Sequence, residues 1–215
     1  MCSHAQELGG RREAGLRLCA VFDMGNVILP FDHLKPCQIL AQSLGLEAEV
    51  IHQRIFGGGL ETKFETGLID GQTFLGECEK ALGTRLGETK FRQIWSDIFT
   101  EDKAVADLIR QLRDSCRLVL LSNTNQWHFE HVRLTFPVIA EFDHFVLSYE
   151  VGAMKPSRKI FERALRFAEG TEKSVYIDDI AKYVEAAGEL GLEGHVFECA
   201  ADLRKYLIGS GLLQR

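Results

Sequence analysis

The run Leu16-Arg-Leu-Cys-Ala-Val-Phe22, followed at once by Asp23-Met-Gly25-Asn-Val27, decides the fold of this chain. A short, mostly apolar segment that stops at an acidic residue reads as a buried strand whose carboxyl end delivers Asp23 to an edge. Similar runs recur at 117–121, 145–148, 174–177 and 195–197. Helical spacing fills most of the gaps. Val105, Leu108, Ile109 and Leu112 precede the second run; Ile160, Phe161, Ala164, Leu165 and Ala168 precede the fourth; Ile180, Val184, Ala187 and Leu190 precede the fifth. Strands alternating with helices of that length predict a doubly wound, mostly parallel α/β sheet covered on both faces.

Between the first and second runs lies far more chain than a crossover needs, and it is helical in pattern throughout. Apolar stripes show in Leu34, Cys37, Ala41 and Leu44; in Phe74, Cys78, Ala81 and Leu82; and in Phe91, Ile94, Trp95, Ile98 and Phe99. The expected organisation is a flexible leader at 1–14, an α/β core at 15–31 and 101–215, and an inserted helical cap at 32–100. Gly57-Gly58-Gly59 reads as a connection rather than a phosphate-cradling loop, because neither a Gly-Lys-Ser nor a Gly-Lys-Thr follows.

The 215 residues carry a formal net charge of -6, are 46% hydrophobic and 26% charged, and so have the composition of an ordinary globular protein. That balance gives no reason to approach nucleic acid or an anionic membrane, which leaves a small-molecule substrate as the expectation. The six cysteines contain no Cys-x-x-Cys pair, which favours reduced thiols over a zinc site or a redox pair. No apolar run is long enough to span a bilayer and the first fifteen residues lack a secretory apolar stretch, so a cytoplasmic location is expected. Nothing in the sequence sets the oligomeric state.

In an open parallel sheet, ligands bind beyond the carboxyl ends of the strands. Asp23 follows the first run, Ser122 the second, Lys155 lies in the loop after the third, and Asp178 and Asp179 follow the fourth. The three aspartates make a hard, oxygen-only cluster suited to Mg²⁺, and without a cation they would repel. Lys155 adds a fixed positive charge, and Ser122 with nearby backbone NH groups adds donors, as a phosphoryl group with charged equatorial oxygens requires. An Asp at a strand end is often only a cap or turn former. The order Asp, Ser, Lys, Asp-Asp, each after a separate strand, is what points to a phosphoryl site.

Val-Phe-Asp23-Met-Gly25-Asn-Val, Leu-Leu-Ser122-Asn123-Thr, Lys155-Pro and Tyr-Ile-Asp178-Asp179 together resemble the motifs of the haloacid dehalogenase superfamily, in its branch with a small helical cap. The likeness spans roughly 16–200. Its first two motifs are most similar to bacterial sugar-phosphate phosphatases and to the amino-terminal phosphatase domain of soluble epoxide hydrolases. The resemblance implies a Rossmann-like core and hydrolysis of a small phosphorylated metabolite. It makes Asp23 the nucleophile and gives Ser122, Asn123 and Lys155 the transferring group. Mg²⁺ falls to Asp23, the Gly25 carbonyl and Asp179 with Asp178. Two positions depart from the family: Gly25 stands where phosphatases carry a general-acid Asp, and Tyr183 where relatives often place Asn or Asp near the metal. Loss of the acid predicts a preference for aryl, acyl or anomeric phosphates, whose leaving oxygen needs little help.

Asp32 and His33 are the nearest stand-ins for that acid, although Asp32 also reads as a helix cap and His33 as a solvated residue. His128 and His131, with Glu130, read as a solvated helix face rather than a metal site, since a third ligand is lacking. Phe91, Trp95 and Phe99 read as cap core. Two alternatives stay open: a metal-free dehalogenase in which Asp23 displaces halide, and a binding or regulatory protein with weak or no turnover.

Overall fold

In the computed structural model, which describes residues 17–214, a single sheet holds five parallel strands. They are β1 (Leu18–Phe22), β2 (Cys116–Ser122), β3 (His144–Leu147), β4 (Lys173–Asp178) and β5 (Glu193–Val196), in the order β3-β2-β1-β4-β5. The doubly wound α/β class read from the sequence is borne out, with strand ends displaced by a residue or two. The leader expected at 1–14 lies outside the described residues.

Each central strand is buried on both faces, and alternate residues serve different layers. Ala20, Phe22, Leu118, Leu120, Val175 and Ile177 pack with α6 (Lys103–Leu112) and α11 (Ala200–Gly209). Cys19, Val21, Val119, Leu121 and Tyr176 pack with α9 (Arg158–Ala168) and α10 (Ala181–Gly188). The Asp102 carboxylate caps α6, accepting from the amides of Ala104 at 2.9 Å and Val105 at 3.2 Å, which fixes where the chain re-enters this layer. β1 pairs with β2 on one side and β4 on the other, Phe22 lying opposite Leu120 and Ile177. The winding therefore reverses at β1, and a crevice opens beyond its carboxyl end.

Between β1 and α6 run five helices: α1 (Leu34–Leu44), α2 (Ala48–Phe56), α3 (Leu60–Glu65), α4 (Gly71–Leu82) and α5 (Glu88–Ser96). They bury a core of their own around Leu40, Ile51, Phe64, Phe74, Phe91 and Trp95. Phe99, expected in that core, packs instead with the sheet-side cluster, because it follows α5 and its backbone pairs with Phe31.

Trp127 and Ser148 are among the residues that tie the helical insertion to the sheet layer. Trp127, from α7 (Gln126–Thr135), is buried in the insertion's cluster against Phe64 and lies on the backbone of Gly71, where a Cβ would come within 2.4 Å of the indole nitrogen. Ser148, opening α8 (Ser148–Val151), donates to the Glu65 carbonyl at 2.6 Å and accepts from the Thr124 amide at 2.9 Å. Among the described residues no helix is long and apolar enough to cross a membrane.

Candidate active site

Asp23 leaves β1 with its amide still bonded to the Ile177 carbonyl of β4 at 2.8 Å, so its side chain starts from a fixed backbone at the reversal point. A tight turn follows: the Ile28 and Leu29 amides return to the Met24 carbonyl, and Asn26 takes a left-handed φ of 55°, a conformation Asn tolerates. Gly25 is not left-handed. What keeps it small is Phe31, since a Cβ there would sit 2.7 Å from the ring's Cε1.

Lys155 is the electrostatic centre. Its buried ammonium lies 2.7 Å from Asp23 Oδ1 and 2.6 Å from Asp178 Oδ2, and its charge lies 5.2 Å from the centre of the Tyr183 ring. Burial works against this cation, but the two carboxylates outweigh it and raise the Lys155 pKa. Tyr183 thus has a physical place at the position where relatives put a metal-supporting side chain: it presents a ring face to Lys155.

The three carboxylates are not equivalent. Asp178 is fully buried and already engaged, Oδ2 by Lys155 and the Tyr176 hydroxyl, Oδ1 by the Ile180 amide at 2.8 Å. Asp23 uses Oδ1 for Lys155 and its neighbour's amide, Met24 N at 2.7 Å, while no hydrogen bond among the described residues reaches Oδ2. Burial pushes Asp23 up to about 7 against the pull of Lys155, so its charge depends on surrounding cations. Asp179 is half-buried. Burial and Asp178 raise its pKa, partly offset by a hydrogen bond from the Asn26 side chain. One carboxylate oxygen from each of the three lies within 4.8 Å of the others. That hard, anionic donor set fits Mg²⁺.

Ser122 ends β2 in the same place, buried, with only a 3.3 Å contact to the Asn123 carbonyl. Asn123 is committed elsewhere: its Oδ1 accepts from the Lys155 amide at 2.7 Å and its Nδ2 donates to the Lys155 carbonyl at 3.2 Å. It holds the lysine loop in register with β2. All the residues expected at the site, save the buried Asp178 behind Lys155, line one cavity of about 220 Å³. A larger groove, about 720 Å³, lies between α5 and α7 and shares none of them.

The cavity's far wall was not legible. It contains Glu65 from α3, with Phe31, His33 and Phe99. Burial pushes Glu65 up to about 7, and burial together with Glu65 pushes Glu61 up to about 8. His33, expected to be solvated, stacks between Phe31 at 4.7 Å and Phe56 at 5.1 Å, and burial lowers its pKa. Its Nε2 stands 3.7 Å from Glu61 Oε1, too long for a hydrogen bond. Asp32 points away, its carboxylate accepting from the Leu34 amide at 2.8 Å. His128 corrects the expectation of a solvated face: it is buried, and its ring nitrogens meet the Asn125 side chain and the Trp95 carbonyl, each at 3.0 Å. Its burial comes from α5, which the helix spacing of α7 alone does not reveal.

Residues 19–191 match the family model of haloacid dehalogenase-like hydrolases. The chain is similar to the D-ribitol-5-phosphate phosphatase of Bacteroides thetaiotaomicron, at 29% identity over 196 residues covering 87% of this chain and 95% of that one. It is also similar to a sesquiterpene phosphatase of Aspergillus oryzae, at 24% identity with 81% and 87% covered. A solved haloacid dehalogenase family enzyme of B. thetaiotaomicron, in complex with magnesium and inorganic phosphate, superposes with a TM-score of 0.75 at 25% identity, covering 86% of this chain and 95% of that one. With Asp23, Ser122, Lys155 and the Asp178-Asp179 pair gathered at the strand ends, and with the family model matching most of its length, this chain belongs to the haloacid dehalogenase-like hydrolases.

Proposed function

We propose that the chain is a Mg²⁺-dependent phosphatase that hydrolyses a small phosphorylated metabolite through an aspartyl-phosphate on Asp23. The observation that carries this reading is the asymmetry of Asp23: one oxygen is pinned by Lys155 and the Met24 amide, and the other is left for attack on phosphorus. Lys155 and Ser122 face the phosphoryl oxygens. Asp23, Asp179 and the Gly25 carbonyl would hold the metal, while Asp178 orients Lys155 from behind. Bound Mg²⁺ neutralises charge on the phosphoryl group and orients it. Residues 32–100 act as the cap over a core of 15–31 and 101–215, and the enzyme works in the cytoplasm.

A cavity of about 220 Å³ suits a small substrate, and the ribitol-phosphate phosphatase relative makes polyol and sugar phosphates the first to try. The test measures phosphate release from a panel of phosphorylated metabolites, with and without Mg²⁺, beside halide release from haloacids. Mg²⁺-dependent phosphate release without halide is the expected outcome. Halide alone would replace this reading with a dehalogenase, and neither product would leave a binding protein.

A further inference from the structure

Cleaving an alkyl phosphate leaves charge on the departing oxygen, and the position that supplies an acid in relatives is here Gly25, its side-chain space filled by Phe31. A proton donor must therefore come from another wall of the cavity. The titratable groups that line it, besides the nucleophile, Lys155 and the metal-facing Asp179, are His33, Glu65, His128 and Tyr183.

Three of these fail on chemistry. His128 has both nitrogens engaged, and burial drives its pKa down to about 3, so it is neutral. His33 is neutral as well, and a neutral imidazole is far too weak an acid. Burial raises the Tyr183 phenol further above its usual 10, again too weak for work near pH 7. Lys155 is spoken for by its two carboxylates.

Glu65 remains, and its placement is not accidental. It is the last residue of α3, and its carbonyl is clamped by Ser148, whose hydroxyl also accepts from the Thr124 amide just past β2. Two residues on, Gly67 turns with a φ of +67°, and a Cβ there would strike the Tyr149 carbonyl at 2.2 Å. The insertion is thus pressed onto the sheet at the point that puts Glu65 into the cavity. No hydrogen bond among the described residues occupies its carboxyl. We propose that Glu65 donates the proton to the departing oxygen, in place of the carboxyl that position 25 lacks.

The step rests on the phosphatase reading above and balances as follows. Asp23 Oδ2 bonds to phosphorus and the ester P–O bond breaks. Its electron pair stays on the departing oxygen, which takes the Glu65 proton and leaves as the alcohol. Glu65, now a carboxylate, accepts a proton from the water that attacks phosphorus. The bond to Asp23 breaks, the carboxylate is restored and inorganic phosphate departs. The charged and titratable groups acting on Glu65 are Glu61 one turn earlier on α3, Lys155 across the cavity and Tyr183 from α10. Burial favours its protonated form and Lys155 opposes it, while a Glu65 carboxylate in turn favours the protonated form of Glu61.

Leaving-group dependence of kcat/KM tests the assignment, because that ratio reports only the steps through alcohol release. Parent, Glu65→Gln and Glu65→Asp are compared on 4-nitrophenyl phosphate and on D-ribitol 5-phosphate or, if faster, the best primary-alkyl ester of the panel. Melting temperature serves as the folding control. Glu65→Gln should lose about 10²- to 10⁴-fold on the alkyl ester and less than about tenfold on the aryl one, while kcat falls on both because the water step loses its base. Glu65→Asp keeps an acid at shorter reach, so its loss should be smaller and again larger on the alkyl ester; should Glu65→Gln not fold, this contrast decides. Equal losses in kcat/KM on both esters would make Glu65 structural and overturn the assignment. So would a parent that cleaves only the aryl ester. A parent that releases phosphate from neither ester would overturn the phosphatase reading together with the donor.

Discussion

Replacing Gly25 with Ala tests whether Phe31, rather than backbone geometry, excludes a side chain after the nucleophile. The new Cβ would meet Cε1 of Phe31 at 2.7 Å and Cδ1 at 3.2 Å. Carbon atoms settle at about 3.5–4.0 Å, so the ring must retreat by roughly 1 Å. Its room is small: the Phe31 backbone pairs with Phe99, and its ring is flanked by His33 at 4.7 Å and Phe99 at 6.0 Å. Overpacking of this kind costs about 1–3 kcal/mol, which for a chain of this size lowers Tm by roughly 2–12 °C. The informative comparison is a double-mutant cycle of Gly25→Ala with Phe31→Ala, read by urea unfolding. Removing the ring should abolish the Gly25→Ala penalty, giving a coupling of about 1–3 kcal/mol. A Gly25→Ala variant within about 0.5 kcal/mol of the parent, or additive effects, would refute the steric account. Gly25→Asp should then restore alkyl-phosphate cleavage to Glu65→Gln only when Phe31 is also shortened.

Asp23→Asn should keep the melting temperature near the parent's yet reduce phosphate release by at least about a thousandfold, because an amide does not attack phosphorus; near-normal turnover would remove Asp23 from the chemistry. Asp179→Asn should raise the Mg²⁺ concentration for half-maximal activity by about 10- to 100-fold, and an unchanged requirement would shift the metal role to Asp178. His128 titrates near 6.5 when unfolded but is held down to about 3 by burial in the fold, so the unfolded chain binds more protons between those values. Its contribution to stability is therefore complete above pH 6.5 and is lost as pH falls toward 3, at up to about 1.4 kcal/mol per pH unit. Glu61 and Glu65, raised from 4.5 to about 8 and about 7, act with the opposite sign across an overlapping window, and because both are common to parent and variant they cancel in the comparison. Urea unfolding at pH 6.5, 5.5 and 4.5 should thus show a shallower loss for His128→Gln, and parallel curves would mean that His128 is not held neutral.

The sheet was legible because its central strands are buried on both faces and end on polar residues; Asp23, Ser122 and the Asp178-Asp179 pair all stand at such ends, and Lys155 stands in the loop beyond another strand. The division of labour among the aspartates was not, since adjacent carboxylates look alike until Lys155, Tyr176 and the Ile180 amide are seen to saturate one of them. Asn123 likewise read as a ligand-facing residue, and its commitment to the Lys155 backbone depends on a loop 32 residues away. Glu65 sits in a short helix where Thr62 and Lys63 face outward, and only Gly67 two residues later hinted at a close approach. His128 is buried, and His33 half-buried, against helices distant in sequence, which no local period encodes.

Trp127 has a bearing on how such enzymes could be rebuilt. It belongs by sequence to the sheet layer, yet its indole completes the packing of Phe64, Phe74 and Phe91. Residues 32–100 are therefore not a self-sufficient module, and a graft of that segment onto another sheet would leave an indole-sized hole. A successful chimera must also carry Trp127 to face Gly71 and Ser148 to clasp Glu65, so the cut that looks natural along the chain is not the one that looks natural in space.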